Sequence, residues 1–386
     1  MTLTAIPVLA LGFRPFFLAA GLSAILSVAV WLAILSGLWP QPSYLAGAAW
    51  HAHEMLFGYL AAVIAGFLLT AVRNWTGMPT PTGARLAALV GLWLVGRLAP
   101  WLGLPPLLIA LLDLAFFPAL AVALWRPLWH GPNPVNRVFL AVFAGMTLAG
   151  AMVHLDALGL FAGGATRGHR LMLDLVLAIL LLVSGRVMPF FIKSGIAGAR
   201  PQAFPILERL TFVVAAGLPI VDLIQPFSRL AGGLAITLGL LQLARLLGWH
   251  DRRIWTTPML TVLYVGLLWL ALGLVLDGLP AFVALTPRGA LHALAVGAIG
   301  VVTLGMMSRV AVGHTGRPMQ AAPLTLVAFV LINLAAVLRG LAPLFAPANY
   351  QAWLMAGGLC WILAFGLFLW VHAPLLLRPR PDGQPG

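Results

Sequence analysis

Trp50-His51-Ala52-His53-Glu54 stands at the head of a long apolar run, Met55 to Val72, which ends in Arg73-Asn74-Trp75-Thr76-Gly77-Met78-Pro79. The run is close to the ~20 residues a helix needs to cross the hydrocarbon core of a bilayer. Two imidazoles and a carboxylate at its mouth are costly in lipid, so they call for a chemical reason. The stretch therefore reads as a membrane span with chemistry gathered at one end.

The whole chain agrees with that reading. Of its 386 residues, 62% are hydrophobic and 8% are charged, where roughly a quarter of an average soluble domain is charged. The composition excludes a soluble enzyme and predicts an all-α polytopic membrane protein in the lipid bilayer. A formal net charge of +13 fits basic loops facing the cytoplasm. No cluster of Arg and Lys with interleaved aromatics suggests a nucleic-acid groove. The one cysteine, Cys360, sits in an apolar segment and supplies neither a disulfide framework nor a thiolate metal site. The run after Arg14 is long enough to span and has no clear small-residue cleavage site, so the first helix is expected to stay.

Cutting at Pro-, Gly- and Arg-rich breaks gives about twelve transmembrane segments: 16–38, 48–72, 84–103, 105–125, 135–160, 169–192, 205–224, 227–248, 256–277, 288–312, 322–344 and 350–373. Loops between them are short, which predicts one transmembrane bundle over 1–386 with no soluble domain. With the N-terminus inside, the inner ends hold 16 of the 22 basic residues and the outer ends hold 6. Both termini are then cytoplasmic.

That topology, built without the histidines, places five of them at one depth near the outer face: His51, His53, His154, His169 and His292. Neutral imidazole suits iron, copper and zinc, so these five are the candidate metal ligands. His51 and His53 stand about 200° apart on an ideal helix and serve one ion poorly from one face. Glu54 is the candidate catalytic, proton-carrying group, or an orienting partner for a histidine. Asp156 and Asp174 are similar candidates. Arg167, Arg170 and Arg288 are placed to pair with anionic groups such as haem propionates. Singly, each histidine reads as an interfacial residue snorkelling to water, Asp156 as a helix-end group, and Asp113 and Asp277 as helix-end or solvated groups. Together, the histidines at one depth point to metal or haem.

An internal repeat sharpens the picture. At an offset of 239 residues, 292 less 53, His53 meets His292, Gly58 meets Gly297, Val63 meets Val302 and Gly66 meets Gly305. Thr76-Gly77-Met78-Pro79 then meets Thr315-Gly316-Arg317-Pro318. The sixth segment aligns more loosely through His169 and Arg186, and ends in Ser194-Gly195. Helices two, six and ten each begin with histidine, which suggests three four-helix units.

Several stretches carry a family resemblance: Phe13-Arg14-Pro15-Phe16-Phe17, Trp50 to Met55 with Phe57-Gly58 and Gly66 to Ala71, and Asn74-Trp75-Thr76-Gly77. Ser184-Gly185-Arg186-Val187-Met188-Pro189-Phe190-Phe191 and His292 through Pro318 extend it. The chain resembles the NnrS family. The resemblance implies a bacterial inner-membrane protein of twelve helices that contains haem and copper and is linked to nitric oxide metabolism, either denitrification or resistance to nitrosative stress. The three-by-four pattern is also similar to the catalytic subunit of haem–copper oxidases and nitric oxide reductases, though the adjacent His-His pair expected on a seventh helix is missing here.

The function expected is a haem–copper membrane protein that binds nitric oxide and reduces or removes it, with the metal site toward the periplasm. His53 and His292 are the leading haem ligands, with Arg170 and Arg288 as cofactor-binding partners. His51, His154 and His169 are then the copper candidates. No Cys-x-x-Cys-His site is present, so the haem is expected to be of b type and electrons to arrive from quinol or a redox partner protein. The rival expectation is a non-enzymatic transporter or chaperone for haem, copper or a metal–nitrosyl species. The almost wholly apolar inner halves of helices two, six and ten disfavour a polar pathway.

Overall fold

The computed structural model describes residues 6–284 and 287–384, the side chains of Pro287 and Arg288 apart. Among the described residues every regular element is helical. Twelve helices succeed one another: α1 Phe13–Leu35, α2 Gly47–Thr76, α3 Gly83–Trp101, α4 Pro106–His130, α5 Pro134–Ala157, α6 Gly164–Gly195, α7 Pro205–Ile224, α8 Arg229–Trp249, α9 Pro258–Ala281, α10 Gly289–His314, α11 Pro323–Phe345 and α12 Pro347–Leu377. Eleven are long and apolar enough to cross a membrane. The exception, α7, carries Glu208, Arg209 and Asp222 within its 20 residues. Its Glu208 is masked by a two-pronged ion pair with Arg245 of α8, at 3.0 Å from Nε and 2.9 Å from Nη2.

The chain divides into two compact units. Unit 1 comprises Met1–Leu173, Val310–Pro318 and Leu369–Gly386; unit 2 comprises Asp174–Arg309 and Met319–Phe368. In unit 1 the most buried span is α2, and it packs against α1. A Cβ on Gly66 would lie 2.8 Å from the Phe17 ring, so only glycine admits this approach. The Phe13-Arg14-Pro15 motif has a structural task there. Its buried guanidinium donates to the carbonyls of Leu376 and Arg378 at 2.9 and 2.8 Å, satisfying the C-terminal end of α12.

The internal repeat is written into the backbone. Glu54–Leu60 of α2 forms a π turn directly after His53, and Ala293–Gly300 of α10 forms one directly after His292. Both helices exit alike. The Thr76 and Thr315 hydroxyls donate to the carbonyls four residues back, and Gly77 and Gly316 take the left-handed conformation, φ 69° and 70°. The looser match at α6 lacks this exit, because Gly195 is still helical and the positive φ falls on Gly198.

Candidate metal centre

Four helices and one loop of unit 1 bring the site together. Asp113 is its hub. It ends the first half of α4, where the helix breaks at Ala115. Pro118 accounts for the break, since it offers no N–H to the carbonyl of Leu114 and its ring crowds that group. His53, on α2 ahead of the π turn, places Nε2 2.7 Å from Asp113 Oδ2. His154, in the last turn of α5, places Nε2 2.9 Å from the same oxygen. Arg97 of α3 forms a close ion pair with Asp113 Oδ1 and donates to Glu54 Oε1 at 3.0 Å. Tyr44, in the loop between α1 and α2, bonds His154 Nδ1 at 2.9 Å.

These contacts assign the protons. A carboxylate only accepts, so both Nε2 atoms carry hydrogen and donate to Asp113. His154 Nδ1 is then an acceptor, and the Tyr44 hydroxyl donates to it. Burial pushes the Tyr44 phenol up to about 12, so it remains a neutral donor across the physiological range. The group is buried: His53 is 3% exposed, His154 2% and Glu54 6%. With neutral imidazoles, two carboxylates face one guanidinium, which leaves one net negative charge within the spans. A buried charge of this kind favours a bound cation.

The donor geometry fits a metal ion. One ligand atom each from His53, Asp113 and His154 lies within 4.8 Å of the others. His169, at the start of α6, adds a third ring 6.0 Å from that of His53. Its Nε2 is buried with no hydrogen-bond partner, the kind of orphan that an ion or water satisfies. Two imidazoles and a carboxylate suit zinc, copper(II) or non-haem iron. The cavity beside Asp113 is about 10 Å³, lined by Phe57, Trp93, Phe116, Phe117 and Met146 among others, which is room for roughly one water. These residues fit a single ion with a very small ligand. They do not fit a haem macrocycle.

The other expected site residues fall elsewhere. His51 stacks on Trp31, ring centroids 5.0 Å apart, on a different face of α2 from His53. Asp156 accepts from Ala165 N at 2.9 Å and so serves the start of α6. Glu54 orients Arg97 and not a histidine. Arg170 is half-buried on α6, and Asp174 is buried. His292 belongs to unit 2, where Arg339 Nη2 donates to its Nε2 at 2.7 Å. The Arg288 side chain lies outside the described residues.

Sequence reasoning missed three members of the centre. Asp113 reads from the sequence as a helix-end group, although a lone carboxylate in Leu-Leu-Asp-Leu-Ala-Phe-Phe is itself a signal. Arg97 enters only as an outer-end charge. Tyr44 leaves no signal beyond being one of four tyrosines.

A comparison with curated proteins finds no match. The family model described as NnrS protein matches residues 7–380, nearly the full length, and the chain belongs to that family.

Proposed function

We propose that this multi-pass bacterial membrane protein binds nitric oxide at a buried metal centre and reduces or removes it. The observation that carries the proposal is the close-set His53–Asp113–His154 group, flanked by the unpartnered His169 Nε2. Copper is the ion assigned to it, because family membership links the chain to the response to nitric oxide and the imidazole-rich donor set suits copper. When bound, the ion supplies a coordination position and redox chemistry for a diatomic ligand.

The side chains then have distinct tasks. His53 and His154 would hold the ion through Nε2, with their protons on Nδ1, and the Tyr44 oxygen would accept the Nδ1–H of His154. Asp113 would supply an oxygen ligand. Arg97 fixes Asp113, and Glu54 holds Arg97 as its counter-ion and is one hydrogen bond further from the histidines, where it can exchange a proton. The apolar walls from Phe57, Phe116, Phe117 and Met146 favour a small uncharged ligand over water. Haem, which the family resemblance implies, has no room beside Asp113, where the cavity is about 10 Å³. The orientation from basic residues puts this end of α2 and α5 toward the periplasm. Burial of the ligands favours a resident ion over an exchanging cargo.

The test is iron and copper counting on the detergent-purified protein, with optical and electron paramagnetic spectra before and after nitric oxide. One copper per chain is expected, with a signal altered by nitric oxide. Asp113→Asn and His154→Ala are each expected to lose that copper. Copper kept at full stoichiometry in both variants would remove this assignment.

A further inference from the structure

The repeat that relates α2 to α10 keeps the histidine but not the acid beside it, and the helix that follows each carries an arginine, Arg97 in α3 and Arg339 in α11, 242 residues apart. In unit 1, Arg97 is neutralised by Glu54 and Asp113. At the repeat offset Glu54 corresponds to Ala293, and no Asp or Glu occurs between Asp277 and Asp382, so α10, α11 and α12 carry none. A buried arginine is present nonetheless. Arg339 lies in a π turn of α11, Val337–Leu341, and bonds His292 through Nη2. It is 9% exposed, and its Nη1 is buried with no hydrogen-bond partner. Among the described residues, the further contact of its guanidinium is with the face of Tyr350, 5.6 Å from the ring centre. Its stem is seated on Gly357 of α12, where a Cβ would come within 2.7 Å of Arg339 Cγ.

A guanidinium taken out of water without a counter-ion is strongly unfavourable, and a ring face offsets only part of that loss. The position is built, since Gly357 makes space for it and His292 orients it. The two carboxylates that meet Arg97 have no counterpart on α10, α11 or α12. From this we propose that Arg339 and His292 form a binding site for a small carboxylate-like oxyanion, a class that includes formate and nitrite. A planar two-oxygen anion matches the guanidinium fork. It is either a free small anion or the carboxylate of a larger bound molecule. The proposal is independent of the metal centre and of the nitric oxide reading.

The test uses the full-length protein in detergent at constant ionic strength, titrated with sodium formate and with sodium nitrite while the thermal midpoint is followed. The wild type is expected to show a saturable rise of about 2–4 °C, lost in Arg339→Gln and retained in Asp113→Asn. If Arg339→Gln does not fold, Arg339→Lys keeps the charge without the fork and is expected to bind at least about tenfold more weakly. Mass spectrometry of the extracted protein separates the two sources. A co-purifying carboxylate-bearing molecule, absent from the Arg339 variant, identifies a larger ligand that formate fails to displace. A midpoint shift lost in Asp113→Asn but kept in Arg339→Gln would place the anion at the metal centre and overturn the proposal. So would no shift together with no co-purifying carboxylate.

Discussion

At the scale of single residues, the centre turns on one carboxylate oxygen shared by two histidines, and on what holds each histidine still. His154 is held at both nitrogens, by Asp113 and by Tyr44. Partners that orient a ligand histidine typically contribute 10–100-fold to metal affinity. Tyr44→Phe is therefore expected to weaken copper binding by roughly that factor in a competitive chelator titration, while leaving the protein folded. His51→Ala is the internal control. The ring of His51 stacks on Trp31, so its removal should leave copper stoichiometry unchanged, and a loss of copper there would contradict the site as drawn. Arg97 has the opposite character. It joins Glu54 to Asp113 within the buried group, and removing one partner of a buried ion pair typically destabilises by about 3–5 kcal/mol. Arg97→Gln should lower the thermal midpoint of the metal-free protein, with added copper restoring part of it.

At the scale of elements, the π turns are the devices that aim side chains. A π turn holds one residue more than the α-helix it interrupts, so it rotates the N-terminal part of the helix relative to the C-terminal part. In α2 this sets His53 against α4 and α5 while Gly66, further along, still seats on Phe17. Deleting Met55 removes the extra residue and turns His53 by about 100° relative to the rest of α2. The expected outcome is a protein that inserts but carries no copper, with a midpoint lowered by loss of the Glu54–Arg97 pair. Full copper occupancy after the deletion would show that the turn is not what directs His53. The break in α4 works in the same direction, since Pro118 stops the helix just past Asp113 and frees that carboxylate's turn from a continuous ladder.

For the whole molecule, charge placement is the informative feature. All nine acidic residues but one precede α10, and that one, Asp382, follows α12. Glu54 and Asp113 thus meet Arg97 beside His53, whereas the helices that carry His292 and Arg339 hold no acidic residue. The basic-residue count also predicts that the loop before α2 faces outward and the C-terminus inward. In a Cys360→Ala background, Ser43→Cys is expected to react with a membrane-impermeant maleimide applied to intact spheroplasts, and Gln384→Cys only after lysis. Reversed labelling would invert the topology and move the metal centre to the cytoplasmic side.

The sequence by itself determined that the chain crosses a membrane many times, that α2 and α10 share a pattern, and that His53 and His154 lie in the same group of histidines near helix ends. These are readable because hydropathy, spacing and rare residues are properties of single segments. It also separated His51 from His53, through the helical period alone. Only the tertiary structure decided that Asp113 is the hub, that Arg97 and Tyr44 belong to the site, and that His292 answers to Arg339. Those facts depend on which faces of α2, α3, α4 and α5, or of α10 and α11, meet and at what register. In an apolar chain nearly every face looks equally suited to contact. A carboxylate in Leu-Leu-Asp-Leu reads the same whether it ends a helix in water or binds two histidines, until packing removes the water.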